Sequence, residues 1–285
     1  MNPFITLLDD IPFLDWPYHL LGWAGLLLMA GGLALGIWRW WQPLNLRQRN
    51  QWLLFAALLL LLPLTTLLLV VQLPGEAAIP LPYVPTELSA PVLILFFAVP
   101  WVIAAGMLGM LPAVLLAFLG GLLLALFRTH TLFTALEMAL LALVYVRAVR
   151  QPYRTKIYRA LRQPLLAALF AGILSVPLHM LVVFFATNGG LAVRLDYALT
   201  QVWLQVLARV VELLLAGGVA SVLYIFSALR EEFWYRPAVL RTSPGEMSLE
   251  KRLLYGIFFL VLLLAMVLTV GDWMWAGKAA EEMID

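Results

Sequence analysis

No cysteine occurs anywhere in the sequence, which excludes disulfides, thiolate metal sites and iron–sulfur ligation. Histidine is nearly as scarce. His19, His130 and His179 are the full set, too few and too scattered for a multi-haem cytochrome. Charged residues make up only 12% of the chain. The N-terminal stretch carries Asp9, Asp10 and Asp15 but no Lys or Arg before the first apolar run. That is the reverse of a basic n-region, so no cleavable signal peptide is expected. Phosphate loops, metal-ligand clusters and paired acid–base sets with water access are missing too. These absences remove most enzyme classes; no enzymatic activity, no metal and no cofactor is expected, and nucleic acid is not among the expected partners.

What the sequence has in abundance is apolar side chain: 64% of 285 residues, with a mean hydropathy of +0.96. A soluble domain of this size would have to expose much of that surface to water. A bilayer accommodates it, at about 20 mostly apolar residues per span. The predicted fold class is therefore all-α, a polytopic transmembrane helical bundle. Eight spans are read at 19–39, 51–72, 91–108, 110–127, 131–147, 164–187, 197–227 and 253–271. Three regions follow: an extracytoplasmic segment 1–18, a bundle 19–271 with a candidate sensing or binding core at 91–227, and an outer tail 272–285. Phe4, Ile5, Leu8, Ile11, Phe13 and Trp16 among the N-terminal acids suit an interfacial helix or an unstructured tail.

Charge placement sets the orientation. With the N-terminus outside, cytoplasmic loops hold Arg39, Arg47, Arg49, Arg147, Arg150, Arg154, Lys156, Arg159, Arg162, Arg230, Arg236, Arg241, Lys251 and Arg252, which is 14 of the 18 basic residues. Outside lie Arg128, Arg194 and Lys278, with ten acids. Excess Lys and Arg in short loops marks the cytoplasmic face, so both termini are expected outside a bacterial cytoplasmic membrane. The outer loop 73–90 contains Pro74, Pro80, Pro82 and Pro85 and reads as a stiff extended connector. Trp38, Trp40, Trp41, Trp52, Trp273 and Trp275 fall at span ends, as an aromatic belt does.

Ionisable groups inside spans are costly, about 2.5–3.5 kcal/mol each on insertion scales. The seventh span carries Gln201, Gln205, Arg209 and Glu212. At about 100° per residue these four sit near 0°, 40°, 80° and 20°, one narrow stripe facing the bundle interior. The fifth span adds Glu137, with Thr134 and Tyr145 on the same face, and the sixth adds His179 one turn from Ser175, with Pro177 between. Convergence of Glu137, His179, Arg209 and Glu212 would place two carboxylates against one arginine, leaving one acid to bind a proton or a cationic group. The alternative is structural: Arg209 and Glu212 at i,i+3 satisfy each other while the glutamines bridge helices. Gly106/Gly109, Gly120-Gly121 and Gly217-Gly218 permit close helix contact.

The stretch 91–147, a glycine-punctuated hairpin followed by a span with an internal Glu, resembles the membrane modules of bacterial sensors of the LytS type. It is also similar to the substrate-binding S components of energy-coupling-factor transporters. The outer tail, from Gly271-Asp272-Trp273 through Ala276, Ala280 and Met283, resembles the stalk entering an extracytoplasmic domain in sensor histidine kinases. These resemblances imply a sensory or signal-transducing module that binds a small ligand in the bundle, as the membrane portion of a longer receptor with an output domain. The alternatives are a solute-binding transport component, or a non-catalytic subunit paired with a partner membrane protein; homo-oligomerisation stays open. Glu231-Glu232-Phe233-Trp234-Tyr235-Arg236 resembles the EExxxR motif of CAAX-type membrane proteases. That family needs histidines on later helices, and every histidine here lies upstream, so the motif is read as a decoy.

Overall fold

The structure, a computed structural model, describes residues 4–5, 12–41, 49–72, 92–187, 189–200, 203–228, 235 and 240. Contacts divide the chain into a larger unit, Met1–Pro152 with Lys156–Val239, and a smaller one, Tyr153–Thr155 with Leu240–Asp285. Everything below concerns the larger unit. Span 253–271, the tail 272–285, the proline-rich loop and most of the EExxxR motif lie outside the described residues.

Runs of Leu, Ala and Val without polar punctuation favour helix wherever the backbone must satisfy its own hydrogen bonds in hydrocarbon. Five helices are long and apolar enough to cross a membrane. They are α1 (Leu20–Arg39), α2 (Arg49–Leu67), α4 (Met110–Leu124, continued by one wider turn to Thr129), α7 (Pro164–Ala186) and α9 (Trp203–Ala228). Helix α5 (Phe133–Val149) has 17 residues and spans about 25 Å at 1.5 Å per residue. The remaining helices are α3 (Val99–Met107), α6 (Lys156–Leu161) and α8 (Leu191–Thr200).

The core is organised around α5. Every residue of it except Leu140, Val144 and Arg147 is buried, because α1, α3, α4 and α7 all pack on it. Small residues set the closest approaches. A Cβ on Gly121 of α4 would lie 2.8 Å from the Ala135 Cα and 2.9 Å from the Thr134 carbonyl oxygen of α5. On Gly217 of α9 it would meet the Ala168 Cβ of α7 at 2.5 Å. The peripheral helices turn Leu27, Leu28, Leu60, Ile173, Leu207, Ile225 and Phe226 outward, a surface suited to lipid and not to water.

One expected span differs from continuous helix. The segment 91–108 holds strand β3 (Val92–Ile94), a turn, and then α3 with only nine residues, about 14 Å of helix against a hydrocarbon core of about 30 Å. Pro100 falls in the first turn of α3, where its missing N–H costs nothing. In the segment 197–227, the described residues are helical in α8 up to Thr200 and in α9 from Trp203, and residues 201–202 lie outside the described residues.

A small antiparallel sheet joins β1 (Phe4–Ile5), β2 (Val70–Gln72) and β3 in that order. It gathers the N-terminus, the end of α2 and the entry to α3 at one end of the bundle. Residues 13–15 reach the same end: Phe13 N–H donates to the Leu126 carbonyl, Asp15 N–H to the His130 carbonyl, and the Phe13 ring stacks on His130 at 3.6 Å. Within the N-terminal segment, Phe4–Ile5 thus pair as a strand and residues 13–15 are held by backbone hydrogen bonds, and residues 6–11 lie outside the described residues.

The opposite end carries the arginines. Arg147 lies over the Trp40 ring. The Gln151 side-chain amide donates to the Tyr158 carbonyl of α6. Arg150 lies 4.4 Å from the centre of the Tyr235 ring, and the Tyr235 N–H donates to the Gly106 carbonyl. Gly109, at φ +115°, makes the α3–α4 turn beside Arg150; that left-handed backbone is one that glycine adopts without strain. Burial lowers the Arg150 guanidinium to about 10, with Tyr235 acting in the other direction, so it is charged at neutral pH.

Candidate functional site

Five polar side chains from three helices meet inside the bundle. Glu137 sits on α5, His179 on α7, and Gln205, Arg209 and Glu212 on α9. Their positions place them about 3–14 Å along their helices from the sheet end, counting 1.5 Å per residue. Helices α5 and α9 both pack against α7, and because side chains one turn apart share a face, the polar stripe of α9 is delivered to the same seam.

His179 is the hub of one half. Its Nδ1 lies 2.9 Å from Glu137 Oε1 and 3.1 Å from Oε2, and its Nε2 lies 3.0 Å from Gln205 Oε1. Arg209 is the hub of the other: Nη1 donates to Glu212 Oε2 at 2.9 Å, and the guanidinium stands 5.5 Å from the centre of the Phe97 ring. The second carboxylate oxygen of Glu212 accepts the backbone N–H of Ile94 at 2.8 Å. Irregular backbone at membrane depth must find such partners within the protein. Glu212 therefore both balances Arg209 and secures the extended part of the broken third segment.

Exposure is uneven across the network. The side chains of Glu137 and Glu212 are 1% and 3% exposed, whereas His179 and Arg209 are 15% and 16% exposed. The carboxylates are sealed, and the two nitrogen-bearing groups face what opening remains. Arg209 has five N–H donors; among the described residues only Glu212 accepts from it.

Of the expected site residues, Glu137, His179, Gln205, Arg209 and Glu212 come together, and Gln201 lies outside the described residues. Thr134, Tyr145 and Ser175 do not join. Thr134 pairs with the Thr129 hydroxyl at 2.6 Å, Ser175 donates to the Gly172 carbonyl, and Tyr145 packs edge-on against Trp101. The separate i,i+3 satisfaction of Arg209 by Glu212 is present, but as one half of a larger network. Sequence reasoning missed the Ile94 amide and Phe97. Pro100, marking a helix start inside an expected span, was the available signal.

The charge count limits the chemistry. With both carboxylates ionised, Glu137, Glu212 and Arg209 sum to one negative charge, which a proton on His179 cancels. Among the described residues no group of three or more His, Cys, Asp or Glu side chains is placed to hold a metal ion. No protein-family model matches this sequence, and neither a curated protein nor a solved structure shows a significant match to it.

Proposed function

We propose that this chain is an eight-span membrane module that senses a small ligand at the Glu137–His179–Gln205–Arg209–Glu212 network. Its spans are α1, α2, β3 with α3, α4, α5, α7, α9 and residues 253–271. The sheet end faces outward and the arginine end the cytosol of a bacterium, following the positive-inside rule.

The observation that carries this reading is the network itself. Burying four ionisable groups in a bundle costs several kcal/mol that Leu and Ala would not, and such groups favour a binding or signalling role. Its placement near the sheet end gives a ligand access from the outer leaflet. Two of its helices lead to the other end. The α5 helix carries Glu137 and leads to Arg150, while α9 carries Arg209 and precedes Tyr235, which lies on Arg150. A ligand that favours one arrangement of α5 and α9 about α7 therefore biases the cytoplasmic contact as well.

The broken third segment supports a second reading, a solute carrier, because discontinuous spans line substrate sites in transporters. The two separate by experiment. The full chain in lipid nanodiscs is melted with decanoate, decyl phosphate, decylamine or decanol as probes. Stabilisation that depends on the head group and disappears in Arg209→Gln and His179→Gln supports a ligand site; equal response to all four probes overturns it. Net movement of the bound probe between leaflets in proteoliposomes favours the carrier over the sensor.

A further inference from the structure

Both ring nitrogens of His179 face oxygen atoms, Glu137 on one side and Gln205 Oε1 on the other. A neutral imidazole has a single N–H and can donate to only one of them. Its other nitrogen would set a lone pair against a lone pair at about 3 Å. With Glu137 ionised, two arrangements remove that conflict. In the first the ring is an imidazolium and donates to both oxygens. In the second the ring is neutral, keeps its proton on Nδ1 toward Glu137, and accepts from Gln205 after that side-chain amide has turned end for end. Amide oxygen and nitrogen are nearly the same size, so the turn repacks nothing.

We infer that His179 is a proton-binding site within the membrane and that the Gln205 amide reverses as the proton arrives or leaves. The inference rests on the same network as the proposed function, but names the proton as one thing the network binds and needs no organic ligand. The charged groups facing His179 are Glu137 from α5 and Arg209 from α9, with Glu212 behind Arg209. Helix α1 also packs on α7 and has no charged residue before Arg39 at its far end. On α8, Arg194 is held by the Gly189 carbonyl, and Asp196 follows it beyond the outer end of α7. Lys156 and Arg159 of α6 lie at the opposite end of α7. With a neutral ring the network keeps one negative charge; with an imidazolium it has none. The proton thus moves as a net charge, and Gln205 converts its presence into a changed donor pattern on α9, one turn from Arg209.

The test uses the full chain in ligand-free nanodiscs with ¹⁵N-labelled histidine, followed by solid-state NMR from about pH 5 to 9, the range in which imidazoles titrate. His179 is assigned by the signal lost in His179→Gln. The expected result is exchange between a doubly protonated ring and a neutral ring protonated on Nδ1, with the Gln205 side-chain amide signal shifting in the same step. In Glu137→Gln the charged form disappears over the whole range. A His179 ring that never changes charge in the wild-type chain overturns the inference, and so does a neutral form protonated on Nε2. The wild-type titration decides even if Glu137→Gln fails to fold. A failure of the probe panel leaves this result standing, and a failure here leaves the probe panel standing.

Discussion

Glu212 and Ile94, 118 positions apart, are joined by a 2.8 Å hydrogen bond from a backbone amide to a carboxylate. The bond ties the least regular part of the bundle to the most charged, because the other oxygen of the same carboxylate holds Arg209. Leaving a buried amide without an acceptor costs about 1–3 kcal/mol. In Glu212→Ala the Ile94 amide should therefore exchange with solvent about tenfold faster or more, read by hydrogen exchange on a peptide covering residues 92–97. Unchanged exchange would mean that another group secures β3.

Helix contacts give a matched pair of substitutions. Gly121→Ala places a methyl group within 3 Å of the α5 backbone, and strain of this kind costs about 1–3 kcal/mol. Gly218→Ala meets nothing within 4 Å and should leave stability within about 0.5 kcal/mol of wild type. Unfolding in mixed micelles compares them directly, and equal effects would contradict the α4–α5 contact.

Much of the network was legible because charge in hydrocarbon is expensive and therefore conspicuous. Glu137, His179, Arg209 and Glu212 stand out from their apolar neighbours, and helical geometry puts Gln205, Arg209 and Glu212 on one face. The part that was not legible has a common physical origin. Val92-Leu93-Ile94-Leu95-Phe96-Phe97 is hydrophobic on all sides, so it carries no period by which strand and helix differ. The pairing of Phe4 with Val71 joins segments too distant in sequence for any local pattern to reveal. Glu212 itself was found, but its second partner is a backbone amide, which no side-chain pattern encodes.

At the arginine end, the Arg150–Tyr235 contact predicts a difference between two substitutions. Tyr235→Phe keeps the ring beneath the guanidinium and should behave as wild type, whereas Tyr235→Ala should lose about 0.5–2 kcal/mol. Limited proteolysis between residues 228 and 240 provides the readout. Faster cleavage in the alanine variant alone fits the contact; equal cleavage in both variants contradicts it.

The proposed orientation is tested by labelling, since the chain has no cysteine of its own. Asp10→Cys should react with an impermeant maleimide on intact cells, and Lys156→Cys only after the membrane is opened. Labelling of both in intact cells would reverse the assignment of the arginine-rich loops to the cytosol.

Coupling between Glu137 and His179 bears most directly on the network. Glu137→Met and His179→Leu should each be strongly destabilising, about 3–5 kcal/mol for a buried pair that loses one partner, while the double variant replaces the pair with apolar groups and recovers much of the loss. The predicted interaction energy from this double-mutant cycle exceeds about 1.7 kcal/mol, the upper end for ordinary side-chain hydrogen bonds between membrane helices. Additive losses, with an interaction energy near zero, would contradict the joining of α5 and α7 through these two residues and remove the site built on them.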